Sequence, residues 1–187
     1  MAECPRVEAE ELAAVVTECS SRPGAPLAEM TVVDEGVQLR RAGLEDVPAI
    51  VQLLAADQLG AARDGATGED GLGPYLRAFG DIEADPAQLL VVAIGGAAEV
   101  VGTLQLSFIP GLARRGALRA QVEAVRVRHD YRNRGLGSQM LSWAIGEARR
   151  RGCALVQLTA DKARVDAHRF YQSLGFVVSH EGMKLQL

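Results

Sequence analysis

Tyr131-Arg132-Asn133-Arg134-Gly135-Leu136-Gly137-Ser138-Gln139-Met140, YRNRGLGSQM, is the stretch on which the reading of this chain turns. It places two glycines and two arginines at the mouth of a helix whose apolar stripe continues through Leu136, Met140, Leu141, Ala144, Ile145 and Ala148. The first turn of a helix has backbone N–H groups without intrahelical partners, and the aligned peptide dipoles leave roughly half a positive charge there. An anion fits that place. Gly135 and Gly137 lack Cβ atoms, so the main chain can come within hydrogen-bonding distance of phosphate oxygens, and Arg132 and Arg134 add charged donors. Taken alone, the stretch reads either as a site for a diphosphate or as a tight strand-to-helix turn with solvated arginines.

Two familiar phosphate motifs fail here. No Lys-Ser or Lys-Thr follows the glycines, and the third glycine of the dinucleotide fingerprint is replaced by Met140.

Outward from this turn, the chain alternates strands and helices. Gln88 to Ile94, Val100 to Ile109 and Ala120 to Arg128 read as antiparallel strands separated by GGAAE and PGLARRG. The helix opened by Gly135 ends in Arg149, Arg150 and Arg151 with Gly152 behind them, and Ala154 to Thr159 is a buried strand reached through it. A last helix runs from Asp166 to Leu174 and feeds a closing hairpin, FVVSH and MKLQL about Glu181-Gly182. Upstream, Val37 to Arg40 is a short strand, and Asp46 caps a helix with the stripe Val47, Ile50, Val51, Leu54 and Leu59. The glycine-rich, acidic stretch from Gly60 to Gly73 reads as a functional loop or lid. The class is α/β mixed, with a largely antiparallel sheet that turns parallel near its centre.

The 187 residues suffice for one domain with a sizeable core. Residues 7 to 19 form a short helix, and the breaker-rich SSRPGAP then separates an N-terminal arm, 1–36, from the main domain, 37–187. With a formal net charge of −4 there is no extended basic surface for nucleic acid. The N-terminus carries acids where a secretory signal needs bases, and the longest apolar run, LLVVAIGGAA, is about half a membrane span. Cys4, Cys19 and Cys153 show no metal-ligand or redox spacing, so they read as reduced thiols of a cytoplasmic protein without a metal.

Arg132-x-x-Gly135-x-Gly137, preceded by Glu123-Ala124-Val125-Arg126-Val127 and followed by Ala167-His168-Arg169-Phe170-Tyr171-Gln172-Ser173-Leu174-Gly175-Phe176, resembles the GNAT superfamily of acetyl-CoA-dependent N-acetyltransferases. The likeness spans residues 37 to 187 in the family's order of elements. It implies the GNAT acyl-CoA N-acyltransferase fold, a mostly antiparallel twisted sheet splayed at a bulge and flanked by helices. It also implies acetyl-CoA as cosubstrate, and direct acetyl transfer to a primary amine of a small molecule in a ternary complex. By the same resemblance, Val125, Arg126 and Val127 match the bulged strand whose main chain bonds the pantetheine arm. Arg132, Asn133, Arg134, Gly135, Leu136, Gly137 and Ser138 match the pyrophosphate loop, and His168 stands where many relatives have an Asn that touches the coenzyme.

Tyr171 matches the family's general acid, and Glu123 a glutamate that works through water. A phenol near pKa about 10 can hydrogen-bond a thiolate whose acid has pKa about 8.5, with full proton transfer uphill by roughly 2 kcal/mol. An amine near about 10 facing a carboxylic acid near about 4.3 leaves roughly 8 kcal/mol, so Glu123 is read as an orienting acceptor or a water-relaying base. Its other reading is an ion pair with Arg126 or Arg128. Acids outnumber bases between Asp57 and Asp85, favouring a cationic amine, while Arg114, Arg115 and Arg119 suit an acidic acceptor or the coenzyme's 3′-phosphate. No nucleic-acid or membrane partner is expected, and a homodimer is. The competing class is a coenzyme-A-binding sensor or regulatory module that does not turn over.

Overall fold

The structure is a computed structural model and describes residues 24, 26–32, 35–56 and 71–186. The helix expected at 7 to 19, Cys4, Cys19, Leu59 and most of the acidic loop at 60 to 73 lie outside the described residues. Among the described residues the main strands and helices are β1 (Pro26–Val32), β2 (Glu35–Arg41), α1 (Val47–Ala55), α2 (Gly73–Ala84), β3 (Gln88–Ile94), β4 (Val100–Ile109), β5 (Arg119–Val127), α3 (Leu136–Arg150), β6 (Leu155–Leu158) and α4 (Val165–Ser173), joined in part by short turns of helix. The six strands form one sheet in sequence order, antiparallel from β1 through β5 and parallel between β5 and β6.

Two expectations shift. Residues 26 to 32, read from the sequence as part of the N-terminal arm, are the first strand of the sheet, because their apolar positions Met30 and Val32 join the core beneath α3. The parallel pair lies at the end of the described sheet rather than near its centre, because the segment after α4 adds no strand. The hairpin expected there does not form. Val177, Val178, Met183 and Leu185 remain 73–92% exposed, so burial supplies nothing to offset the entropy of ordering two strands.

The sheet separates two cores. Residues two apart on a strand share a face, and one face carries Val91, Leu104, Leu106, Phe108, Ala120 and Val122 against the buried stripe of α3, Leu136, Met140, Leu141, Ala144 and Ala148. Each of the larger side chains contributes on the order of 1.5–3 kcal/mol by leaving water. The other face packs Leu90 and Val92 against Val47, Ile50 and Val51 of α1 and Phe79 of α2. α1 begins through a 3₁₀ turn, Leu44–Asp46, and the Asp46 side chain turns back to accept the Gly43 N–H (2.8 Å) and both arms of the Arg40 guanidinium (2.7 and 2.8 Å). A carboxylate only 5% exposed is thereby paired and hydrogen-bonded, as its burial requires. No helix among the described residues is long and apolar enough to cross a membrane.

Candidate active site

After β5 the chain makes a 3₁₀ turn, His129–Tyr131, and enters the arginine-glycine loop. Two left-handed residues, Asn133 (φ 59°) and Gly135 (φ 90°), bend it into α3. The first bond of the helix runs from the Gln139 N–H to the Gly135 carbonyl (3.1 Å), so the amides of Leu136, Gly137 and Ser138 precede it and have no intrahelical partner. The two glycines serve different ends. Gly135 supplies the left-handed bend, with the Gln139 Nε2 at 3.9 Å from where its Cβ would stand. A Cβ on Gly137 would lie 3.4 Å from Phe170 Cζ and 3.7 Å from Val127 Cγ2, so its main chain packs directly on α4 and β5.

The arginines divide in the same way. Arg132 is exposed and donates Nε–H to the Val127 carbonyl (3.0 Å), staying at the rim of the loop. Arg134 turns beneath it, with Nη2 at 3.7 Å from the Glu35 carboxylate and its guanidinium 5.0 Å from the centre of the Tyr131 ring. Tyr131 is 4% exposed, and its hydroxyl donates to Glu35, whose Oε1 also accepts the Gly96 N–H (3.0 Å). The tyrosine hydroxyl and the Gly96 amide hold the Glu35 carboxyl below its usual range, and the same bond to Glu35 raises the Tyr131 phenol. Gln139, in the first turn, donates to the Thr31 carbonyl of β1 (2.7 Å). Sequence reasoning missed Glu35, Tyr131 and Gln139 as loop supports. Only the aromatic ring beside Arg132 and Arg134 hinted at one, and nothing marked its partner far upstream.

Glu123 pairs with Gln105 across the β4–β5 ladder and Arg126 with Thr103, so Ala124 and Val125 stand opposite Leu104 alone. This is a β-bulge, with Ala124 in the left-handed region (φ 53°). Pairing between β5 and β6 stops at Val122 and Leu158, which leaves the edge of residues 123–127 facing a wedge. Inside it the Val125 carbonyl accepts from Arg126 (2.9 Å) and the Val127 carbonyl from Arg132, while both valine side chains pack on the core. Glu123 is exposed and makes no hydrogen bond or ion pair among the described residues. Arg128, one of its two expected partners, is engaged by Asp130 (2.7 Å) and Glu99 (3.1 Å) instead.

Across the wedge, α4 presents Tyr171. Its ring lies 5.3 Å from that of Phe170 and 5.9 Å, edge-on, from that of Phe176, and burial raises its phenol above the ordinary range against the opposing charges of Arg126 and Arg164. The hydroxyl has no hydrogen-bond partner among the described residues. His168, one turn earlier, sets its Nε2 2.9 Å from the Asp161 carbonyl, which fixes the ring on the loop before α4. Arg114 and Arg115 sit in a left-handed turn before β5 (φ 55° and 61°). The whole length of that strand, about 26 Å, separates them from the arginine-glycine loop, so they stand apart from any diphosphate held there. No group of three or more metal-ligating side chains occurs among the described residues.

The site thus combines main-chain amides without intrahelical partners at a helix start, a strand edge where pairing with β6 ends and a half-buried phenol. A sequence model of the acetyltransferase (GNAT) family matches residues 52–176. An aminoalkylphosphonate N-acetyltransferase of Salmonella typhimurium is 37% identical over 82 residues, which are 44% of this chain and 53% of that protein. The matched region thus spans about half the length of that relative. A transcriptional regulator from Bacillus halodurans C-125 shares 44% identity, with a TM-score of 0.76 over 81% of this chain and 99% of its own. An Agrobacterium tumefaciens protein with an acetyltransferase designation shares 28% identity, with a TM-score of 0.69 over 80% of this chain and 99% of its own.

Proposed function

The chain belongs to the acetyltransferase (GNAT) family, and from that membership we propose that it moves the acetyl group of acetyl-CoA directly to a primary amine of a small molecule. The observation that carries this reading is the wedge beyond Val122, where pairing between β5 and β6 ends, flanked by the amides of Leu136, Gly137 and Ser138, which have no intrahelical partner. Bound there, acetyl-CoA supplies an activated acyl thioester. The α3 amides and Arg132 hold the diphosphate, assisted by the positive end of the helix. Asn133, Gly135 and the half-buried ion pair of Arg134 with Glu35 shape the loop around it. The edge of Val125, Arg126 and Val127, beyond the point where pairing with β6 ends, holds the amide-bearing arm as an added strand would, and His168 borders it.

Tyr171 stabilises the departing thiolate. Its phenol is raised by burial, so it stays protonated through the neutral range and keeps a proton to share. Glu123, exposed beside the bulge and without a bonded partner among the described residues, orients the amine or relays its proton through water. Half-burial of Cys153, with its thiol raised by desolvation, suits a packing role and leaves transfer without a covalent relay.

The enzyme is further read as a cytoplasmic homodimer. The exposed Val177, Val178, Met183 and Leu185 supply apolar surface for a second copy, which sedimentation of the full chain against one lacking residues 177–187 tests. Thiol release from acetyl-CoA across a panel of amines tests the transfer reading. Amine-dependent release is expected, with a thermal shift by acetyl-CoA and coenzyme A and none by NADH. The Bacillus halodurans structure named a transcriptional regulator favours a second reading, a coenzyme-A-binding regulatory module. Tight coenzyme binding without release for any amine selects that alternative.

A further inference from the structure

Strand register aligns an uncharged polar row across four strands of the sheet. Gln88 of β3 stands opposite Ser107 of β4, Ser107 opposite Gln121 of β5, and Gln121 opposite Gln157 of β6, so all four side chains share one face. One step toward the bulge, the next row on that face reads Leu90, Gln105, Glu123. The side chains are bonded to each other. Gln88 Oε1 accepts from Ser107 Oγ (2.7 Å) and Gln105 Nε2 (3.0 Å), and Gln157 Nε2 donates to Gln121 Oε1 (2.8 Å). On β2 and β3 the same face is sealed by α1 and α2 over Leu90 and Val92, whereas on β5 and β6 Glu123 and Gln157 are exposed and Gln121 is half-buried. The opposite face of β4 and β5 is apolar and buried, so the core does not require the row.

Its chemistry is specific. A carboxamide that spends one donor or acceptor on its neighbour still offers others outward, so the Gln121–Gln157 pair presents donors and acceptors together at the strand spacing of about 4.8 Å. Hydroxyl groups, which both donate and accept, match that array. An alkyl body would desolvate the amides without replacing their bonds. Glu123 is the one charge in the two rows and suits an ammonium head. The nearest cation along β5 on this face is Arg119, four residues or about 13 Å from Glu123, and Arg126 lies across the bulge with its guanidinium on the Val125 carbonyl.

We propose that Gln121 and Gln157, with Gln105 and Ser107 beside them, form the acceptor platform of the transferase read above, and that it selects a primary amine whose body is hydroxyl-bearing and carries no further charge, with its nitrogen at Glu123. The proposal rests on that reading for the place of the thioester but concerns residues that hold only the acceptor.

Calorimetric titration of the protein saturated with coenzyme A separates the two, because it needs no turnover. D-glucosamine, cyclohexylamine and 2-aminoethylphosphonate serve as hydroxylated, apolar and anionic probes. Glucosamine is expected to bind at least about tenfold more tightly than either of the others, as roughly one or more retained hydrogen bonds imply. Gln121→Leu and Gln157→Leu should each erase about tenfold of that affinity, while cyclohexylamine and coenzyme A bind as before; the unchanged coenzyme affinity certifies the fold of each variant. Preference for the phosphonate, equal binding of all three, no binding of glucosamine, or indifference of glucosamine to both substitutions overturns the proposal. Should glucosamine bind as stated while acetyl-CoA is never consumed, the platform stands and the transferase reading falls. Should acetyl transfer to glucosamine proceed unaltered in Gln121→Leu, the transferase stands and the platform falls.

Discussion

Tyr131 donates its hydroxyl to the carboxylate of Glu35, a residue 96 positions earlier in the chain, and the guanidinium groups of Arg128 and Arg134 stand 5.0 Å from its ring centre. The bond joins the entrance of the arginine-glycine loop to the first residue of β2. Gly95 completes the fit, since a Cβ there would stand 2.8 Å from the Tyr131 hydroxyl. An anchor under a diphosphate loop acts on the diphosphate and leaves the thioester end alone. Tyr131→Phe keeps the ring between its two arginines and removes only the bond to Glu35. It is expected to lower kcat/KM for acetyl-CoA about tenfold through KM, and to leave acetyl-pantetheine, which has no diphosphate, unaffected. Equal losses on both donors would show that the bond supports the whole domain rather than the loop.

Glycines in and under α3 separate packing from propensity. A Cβ on Gly102 of β4 would stand 2.9 Å from Met140 Sδ and 3.2 Å from the Arg126 carbonyl, in the seam where α3 lies on the sheet. Gly102→Ala is expected to cost about 1–3 kcal/mol, the range for an overpacked core. Gly146, within α3, has nothing within 4 Å of such an atom. Gly146→Ala should stabilise by roughly 0.5–1 kcal/mol through helix propensity. Urea unfolding of the two variants checks both signs, and a common sign would mean that α3 is not seated as described.

Local signals carried most of this fold. Apolar runs bounded by Gly and Pro located β3 and β4 to the residue, and the stripe from Leu136 to Ala148 located α3. The arginine-glycine loop and the bulged strand were legible for the same reason, since each is a contiguous stretch with its own composition. What the sequence concealed depends on register and long-range packing. Nothing in the words Glu35, Thr31 or Gln157 says that they meet Tyr131, Gln139 and Gln121, because each pairing arises only once the sheet is assembled. The closing hairpin failed for the complementary reason. FVVSH and MKLQL have strand composition and a turn between them, but composition cannot supply the neighbouring surface that makes such a pair stable.

Glu147, 9% exposed near the end of α3, accepts Nε and Nη2 of Arg150 (2.9 and 2.8 Å) and Nε of Arg151 (2.7 Å). Burial alone would raise its carboxyl, but the two guanidinium groups outweigh that and leave it below the usual range. A carboxyl lowered in the folded state adds stability that is complete above its unfolded value, near about 4.3, and is lost as pH falls through the folded one. Glu147→Gln is therefore expected to be less stable than the parent by about 1–3 kcal/mol at pH 7, less than for a fully buried pair because Arg150 is half in solvent. The difference should shrink toward zero below about pH 4. Urea midpoints measured from pH 3 to pH 8 test this, and a gap that persists in acid would assign the loss to packing.

Tyr171 is the side chain on which the proposed chemistry turns. Its ring is held between Phe170 and Phe176 while its hydroxyl is left without a partner among the described residues, so removing that oxygen disturbs little of the packing. Tyr171→Phe should bind acetyl-CoA as the parent does and lose about 10²–10⁴-fold in kcat, the usual span for a positioned acid. Because burial raises the phenol, the parent's kcat should stay flat on the alkaline side until about pH 10 or above. A descending limb centred near pH 8 would mean that another group supplies the proton. The two measurements belong together: a rate loss in Tyr171→Phe with an early alkaline limb in the parent would make the tyrosine a packing residue beside the true acid, whereas a rate loss with a flat limb gives it the role of quenching the thiolate.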